Sequence, residues 1–207
     1  MMSNKNIRIN DMVIRFANVN GTGSSSANEI FSKAVFRMGI PVSPKNIFPS
    51  NIQGLPTWYE VRISGNGYLG RREGIDIMVG INPQSMIKDI AAVKPGGYFI
   101  YDSTRRLHED LYREDIRMIG IPMMALSMEN YEQPRLQQLF KNIIYIGALA
   151  TLIGLDLNII KSIIAEQFEK KPRLIPPNHL ALDLGAQYVE QSIEHPLHVR
   201  LEKAEAT

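Results

Sequence analysis

The sequence predicts an α/β protein built on a mostly parallel sheet, with an inserted β-hairpin and with helices toward its C-terminal end. Three observations predict it. An apolar run at residues 12–19 meets a glycine–serine corner, Asn20-Gly21-Thr22-Gly23-Ser24-Ser25-Ser26, after which residues 27–38 take helical spacing. Residues 75–81 and 98–101 are nearly continuous apolar segments with a helical stretch between them, the pattern of strands buried in a parallel sheet. From Pro134 onward the apolar spacing is helical almost to the end. A strand, a glycine corner and a helix opening a βα pattern make the sheet Rossmann-like.

The elements follow in order. After the first βα unit, Gly39-Ile40-Pro41-Val42-Ser43 leads into a second extended segment ending near Phe48-Pro49. The Gly- and Pro-punctuated stretch at 49–57 is a loop, read equally as a ligand-edge loop or as a plain connection. In residues 58–64, Tyr59, Val61 and Ile63 alternate with Glu60 and Arg62, as in a half-buried strand. Gly65-Asn66-Gly67 then predicts a hairpin turn, with Tyr68-Leu69-Gly70-Arg71 as the returning strand. Asn82-Pro83 predicts a helix start and Pro95-Gly96-Gly97 its end, near Val93. The strand at 98–101 delivers Asp102-Ser103-Thr104 to its carboxyl end, read first as a turn or cap. Residues 116–121 and 123–126 predict one more strand, kinked at Pro122. Three helices follow: one from Pro134 through the apolar run to Leu155, one capped by Asp156 and stopped by Lys170-Lys171-Pro172, and one over 178–193.

Composition narrows the class. A chain of 207 residues suffices for one cored domain, placed at 12–194, with an N-terminal arm at 1–11 and a tail or linker at 195–207. Its net charge of +2, with no basic block, excludes an evident nucleic-acid footprint. The absence of cysteine removes disulfides, thiolate metal sites and any iron–sulfur cluster held by this chain, and fits a cytoplasmic location. The first eleven residues lack the apolar stretch of a signal peptide, and the apolar run at 143–155 is too short to span a membrane.

The glycine–serine corner carries the main chemical signal. Its glycines permit positive φ and close backbone approach, and the following helix N-terminus favours an anion beside three serine hydroxyls. The spacing Gly-x-Gly-x-x-Ser falls short of the dinucleotide fingerprint. The acidic residue expected about 20 positions later, to bind a ribose, is missing from Val42-Ser43-Pro44-Lys45-Asn46. Lys45 reads as a surface lysine. No nucleophile elbow, P-loop or metal-ligand spacing is present, and no catalytic residue is assigned. A stand-alone nucleotide-binding dehydrogenase and a small-molecule-binding regulatory module remain as alternatives.

Several stretches in sequence order add a family resemblance: Ala17-Asn18-Val19-Asn20-Gly21-Thr22-Gly23-Ser24, then Phe48-Pro49-Ser50-Asn51-Ile52-Gln53-Gly54-Leu55-Pro56-Thr57-Trp58-Tyr59-Glu60-Val61-Arg62, then Asn82-Pro83-Gln84. Over residues 12–192 the chain resembles the gamma subunit or domain of 2-oxoacid:ferredoxin oxidoreductases. The likeness is to the gamma portion at the N-terminus of the alpha chain in enzymes of the 2-oxoglutarate type. The resemblance implies a gamma domain within an enzyme that uses thiamine diphosphate with Mg, an iron–sulfur cluster and coenzyme A. Such an enzyme oxidatively decarboxylates a 2-oxoacid and passes electrons to ferredoxin. It further implies alpha and beta portions as partners, dimeric contacts, no cofactor held by this chain and no activity in isolation. It places a coenzyme A, anion or partner edge at Asn20, Gly21, Thr22, Gly23, Ser24, Ser25 and Ser26 together with Asn51, Gln53 and Gly54. The chain departs from the usual gamma pattern by having Ser24-Ser25-Ser26 in place of Gly-Gln-Gly, and Gln53-Gly54-Leu55 in place of Arg-Gly-Gly.

Overall fold

A computed structural model describes residues 7–18, 21–48, 56–70 and 72–204. The chain runs β1 (Arg8–Ile9), β2 (Asp11–Asn18), α1 (Ser24–Arg37), β3 (Val42–Ile47), β4 (Thr57–Ser64), β5 (Ile75–Gly80), α2 (Met86–Ala92), β6 (Val93–Asp102), β7 (Arg117–Ile121), α3 (Met123–Asn130), α4 (Pro134–Ile153), α5 (Leu157–Gln167), α6 (Ile175–Ser192) and β8 (Val199–Arg200). Six strands form the central sheet in the order β3-β4-β2-β5-β6-β7. Strands β2, β5, β6 and β7 run parallel, and β4 is antiparallel to both of its neighbours. The expected α/β class with a mostly parallel sheet is the observed one. All six residues of β5 are buried, in keeping with its nearly continuous apolarity, and its one charged residue, Asp76, pairs with Arg8 and Lys94 and accepts from the Val13 N–H at 2.8 Å.

Alternation on the strands sorts the two faces. Met12, Ile14 and Phe16 of β2, with Tyr59, Val61 and Ile63 of β4, pack into the main core beneath α1 and α4. There the Phe16 ring lies 5.4 Å from Phe31 and 6.0 Å from Tyr145. The opposite face carries a smaller apolar cluster on β5 and β6, including Met78, Phe99 and Tyr101. Across β2 and β4 that face holds ion pairs instead, Arg15 with Glu60 and Arg62 with Asp11. Helix α4 crosses α6 at two glycines. A Cβ on Gly185 would lie 1.9 Å from the Ile144 carbonyl oxygen, and one on Gly147 would lie 2.0 Å from that of Leu182. Only glycine lets the two backbones meet at this distance. The whole 20-residue helix α4, longer than the apolar run at 143–155, is long and apolar enough by composition to cross a bilayer, but 67% of its most apolar window is buried inside this fold.

Four expectations need correction. The turn at Gly65-Asn66-Gly67 forms, with Gly67 N–H donating to the Ser64 carbonyl at 2.9 Å, but Tyr68-Leu69-Gly70 makes no strand. Strand β4 already has β2 on one edge and β3 on the other, so no edge is left for a returning strand, and the inserted hairpin is β3–β4. Residues 123–126 begin a helix rather than a strand. The Met124 N–H reaches Asp102 Oδ1 at 3.3 Å and the Ala125 N–H reaches Thr104 Oγ1 at 2.9 Å, so the carboxyl end of β6 caps α3. The helix expected with Asn82 as its cap starts three residues later, at Met86; Asn82 accepts from the Gln84 N–H at 3.0 Å as a cap does, but the Ser85 N–H bonds to the Asn82 carbonyl at 3.2 Å, so residues 83–85 close a turn before α2. That helix ends where expected, at Ala92 with Val93 as C-cap, but Pro95-Gly96-Gly97 lies within β6, which starts five residues earlier than the expected strand at 98–101 and pairs irregularly with β5. Helix α5 starts as read, with Asp156 accepting from the Asn158 N–H at 2.8 Å.

The polar C-terminal stretch is tied to the body. Leu197, Val199 and Leu201 are buried, the Leu201 N–H donates to the Ile153 carbonyl at 2.6 Å, and β8 pairs in parallel with β1. Asn10 and Glu202 exchange two hydrogen bonds, at 2.8 and 2.9 Å.

Candidate functional site

Strand β2 ends at Asn18, and the described chain resumes at Gly21, where the corner turns into α1. Gly21 and Gly23 have φ of 78° and 83°, in the left-handed region. Gly23 is the N-cap position of α1, so the helix begins at Ser24, three residues earlier than its apolar spacing indicates. Ser24 is buried, while Ser25 and Ser26 face solvent at the first turn. Of the other residues assigned to this edge, Asn20, Asn51, Gln53 and Gly54 lie outside the described residues.

A buried polar network fixes the corner. Asn28 on α1 donates from Nδ2 to Asn18 Oδ1 at 2.8 Å and accepts from the Tyr145 hydroxyl at 2.7 Å. Asn82, after β5, donates to the Asn18 carbonyl at 2.8 Å. Asn142 donates to the Thr22 carbonyl at 2.7 Å, and among the described residues its own Oδ1 is buried without a hydrogen-bond partner. Burial drives the Tyr145 phenol far above its ordinary range, so it remains a neutral donor. The same end of the sheet holds Asp89, which is 1% exposed and accepts from the Trp58 indole and the Ser85 hydroxyl, both at 2.6 Å. Burial raises its carboxyl above the ordinary value, against those two hydrogen bonds and the nearby Arg15.

Two clefts open along this carboxyl edge. One, of 470 Å³, lies between Gly21, Thr22 and Gly23 and the first turns of α4, where Arg135, Gln138 and Leu139 face the corner. Gly23 holds φ of 83°, which other residues rarely adopt, and a Cβ there would meet the end of the Leu139 side chain at 2.6 Å, so the corner favours glycine at this position. Left-handed glycines, a helix start and a guanidinium fit a phosphate group. Arg135 escaped the sequence reading. Its signal is a cation in the first turn of a helix, where the dipole disfavours positive charge. The second cleft, of 500 Å³, lies at the ends of β5 and β6 and includes Asp102, Thr104, Gln138 and Lys141. The Asp102-Ser103-Thr104 corner is a cap for α3, which is its plainer reading. A larger groove of 720 Å³ runs between α1 and β3, beside Phe36.

A ribose-binding acid would have to follow the strand next to the corner. Here antiparallel β4 separates β2 from β3, and Lys45 is exposed on the outer strand β3. Among the described residues, no group of three His, Cys, Asp or Glu side chains could hold a metal ion. With no cysteine in the sequence, the chain has no thiolate for an iron–sulfur cluster.

This strand–glycine corner–helix unit, at the carboxyl edge of a parallel sheet, defines a Rossmann-like ligand-edge domain. The chain belongs to the pyruvate ferredoxin/flavodoxin oxidoreductase family, whose sequence model matches residues 13–188. It is 24% identical over 206 positions to the 2-oxoglutarate oxidoreductase subunit KorA of Mycobacterium tuberculosis, covering 88% of this chain and 32% of that protein. It is 22% identical over 214 positions to the alpha subunit of 2-oxoacid:ferredoxin oxidoreductase 2 of Aeropyrum pernix, covering 85% and 33% respectively. The chain thus spans about a third of the length of these relatives. In fold it is similar to the 2-oxoglutarate:ferredoxin oxidoreductase of Magnetococcus marinus, a structure with 2-oxoglutarate, coenzyme A and succinyl-CoA bound. The TM-score is 0.82 at 24% identity, over 95% of this chain and 34% of that one. It is also similar to the gamma subunit of the keto/oxoacid ferredoxin oxidoreductase of Geobacter sulfurreducens, with a TM-score of 0.69 at 18% identity, over 87% of this chain and 99% of that one. The resemblance read from the residues is borne out.

Proposed function

We propose that this chain is the gamma portion of a cytoplasmic 2-oxoacid:ferredoxin oxidoreductase that converts 2-oxoglutarate, in preference to pyruvate, to its acyl-CoA. The named 2-oxoglutarate enzymes among its relatives support that substrate. In this reading thiamine diphosphate with Mg supplies the decarboxylation chemistry and an iron–sulfur cluster the electron path to ferredoxin, both within the alpha and beta portions. The gamma portion contributes binding and assembly. The observation that carries its role is the corner cleft, where the left-handed Gly21 and Gly23 and the start of α1 face Arg135 across 470 Å³. These groups receive a phosphate of coenzyme A, with Leu136 and Leu139 as an apolar wall beside it. Phe36 and Phe48, 69% and 66% exposed, supply apolar surface for partner portions.

Calorimetric titration of the isolated chain with coenzyme A tests this. Weak binding is expected, lost in Gly23→Val while the circular dichroism spectrum is retained. The chain alone is expected to show no coenzyme A-dependent reduction of ferredoxin by 2-oxoglutarate, and the activity is expected only with alpha and beta portions added. Turnover by the isolated chain overturns the subunit reading. Coenzyme A binding that survives in folded Gly23→Val moves the ligand away from the corner.

A further inference from the structure

The second cleft has chemistry that capping α3 does not explain. Lys141 lies on α4 three residues beyond Gln138, on the face turned to the sheet edge. Its side chain is only 13% exposed, yet among the described residues it makes no hydrogen bond. Its nearest opposite charge is Asp102 Oδ2, at 4.0 Å. Only the other oxygen of Asp102 is engaged at short range. Its Oδ1 accepts from the Thr104 N–H at 3.1 Å, the Thr104 hydroxyl at 2.6 Å and the Met124 N–H at 3.3 Å. Burial pulls the Lys141 pKa down, with Asp102 partly opposing. A largely buried ammonium with three donors, and one carboxylate oxygen 4.0 Å away, is better satisfied when a ligand supplies further oxygen atoms.

The rest of the cleft fits such a supplier. Arg105 and Arg106 stand exposed at its mouth, Arg106 paired with Glu109, so Lys141 and the two arginines meet the carboxylates of Asp102 and Glu109 with one positive charge in excess. Ile81, Met86 and Leu107 form an apolar wall. The position, beyond the carboxyl ends of parallel strands β5 and β6, is where open α/β sheets take ligands.

We infer that this cleft is an oxyanion site, in which Lys141 meets a phosphate or carboxylate group, Arg105 and Arg106 attract it at the mouth, and the apolar wall receives the ligand's carbon skeleton. The inference stands without the oxidoreductase reading and is separate from the glycine corner, with which the cleft shares, among the described residues, only Gln138.

The test is calorimetry on the 207-residue chain carrying Arg135→Ser, so that the corner contributes little, with pyrophosphate and 2-oxoglutarate as probes. One probe is expected to bind with one-to-one stoichiometry, and which of them binds tighter tells a phosphate ligand from a carboxylate one. Lys141→Met is expected to weaken binding about tenfold or more, and Lys141→Arg to retain most of it. The double variant Arg105→Ser with Arg106→Ser alters exposed residues only and folds independently of the cleft; it is expected to weaken binding about threefold to tenfold. Affinity unchanged in both Lys141→Met and the double arginine variant overturns the inference, as does a lack of binding by either probe. Should Lys141→Met fail to fold, unchanged affinity in the double variant is sufficient to overturn it.

Discussion

The Tyr145 hydroxyl donates to Asn28 Oδ1 at 2.7 Å, and both side chains are completely buried. This bond joins α4 to α1 directly beneath the glycine corner. Because Asn28 in turn holds Asn18, and Asn18 holds Asn82, the ends of β2 and β5 are positioned by a helix more than a hundred residues further along the chain. The bonds among Asn18, Asn28, Asn82 and Tyr145 hold the corner because they form in a low-dielectric setting, where each is electrostatically stronger than in water.

Tyr145→Phe removes the donor and leaves the Asn28 carbonyl buried without its partner. A loss of about 1–3 kcal/mol is expected. For a chain of this size that corresponds to a fall in Tm of several degrees in thermal denaturation followed by circular dichroism. An unchanged Tm would mean that Asn28 finds another donor.

Gly185→Ala tests the α4–α6 crossing. The added methyl would sit 1.9 Å from the Ile144 carbonyl oxygen, a backbone atom that no rotamer change can move aside. The helices must separate, so a loss of at least about 3 kcal/mol is expected, read as insoluble expression or a midpoint shift in urea. A variant of wild-type stability would show that the helices cross further apart than described.

Much of the fold was legible because each parallel strand is an apolar run and each helix carries its own apolar period. The errors share one physical cause, competition from distant partners. Tyr68-Leu69-Gly70 has hairpin chemistry, but β3 had already taken the free edge of β4. Residues 123–126 look like strand, but Asp102 and Thr104 offer acceptors that start a helix. The site was half legible. Gly21 and Gly23 announce themselves by spacing, whereas Arg135 and Lys141 sit on α4, where 20 residues of helical periodicity read as core. Their signal is a polar row through Arg135, Gln138, Lys141 and Asn142 on an otherwise apolar helix.

Asp89 gives a pH dependence with a definite sign. Its folded-state pKa is raised above the unbound value of 3.8, chiefly by burial. The folded state therefore binds the proton more tightly than the unfolded state. The associated stability is fully present below pH 3.8 and lost as pH rises through the raised folded value. Asp89→Asn keeps an acceptor for the Trp58 indole while removing the buried charge. It is expected to gain stability relative to wild type at pH 7 and to lose that advantage as pH falls toward 4. The chain has one tryptophan, so the Trp58 emission of the wild type is expected to titrate in the same range and that of Asp89→Asn to stay flat. A pH-independent difference between the two proteins would place the charge of Asp89 in contact with water.

Arg135→Ser separates binding from folding at the corner. Arg135 is exposed, so its removal is expected to leave the Tm within about 1–2 °C of wild type, as for other surface substitutions. A guanidinium facing a phosphate across the 470 Å³ cleft contributes charge-assisted hydrogen bonds, and their loss is expected to weaken coenzyme A binding about tenfold. Pantetheine, which has the same thiol arm without the phosphates, should bind wild type and variant alike. Equal weakening of both compounds would mean that Arg135 holds the shape of the cleft rather than a phosphate. No weakening of either would take coenzyme A away from the Gly21–Gly23 corner altogether.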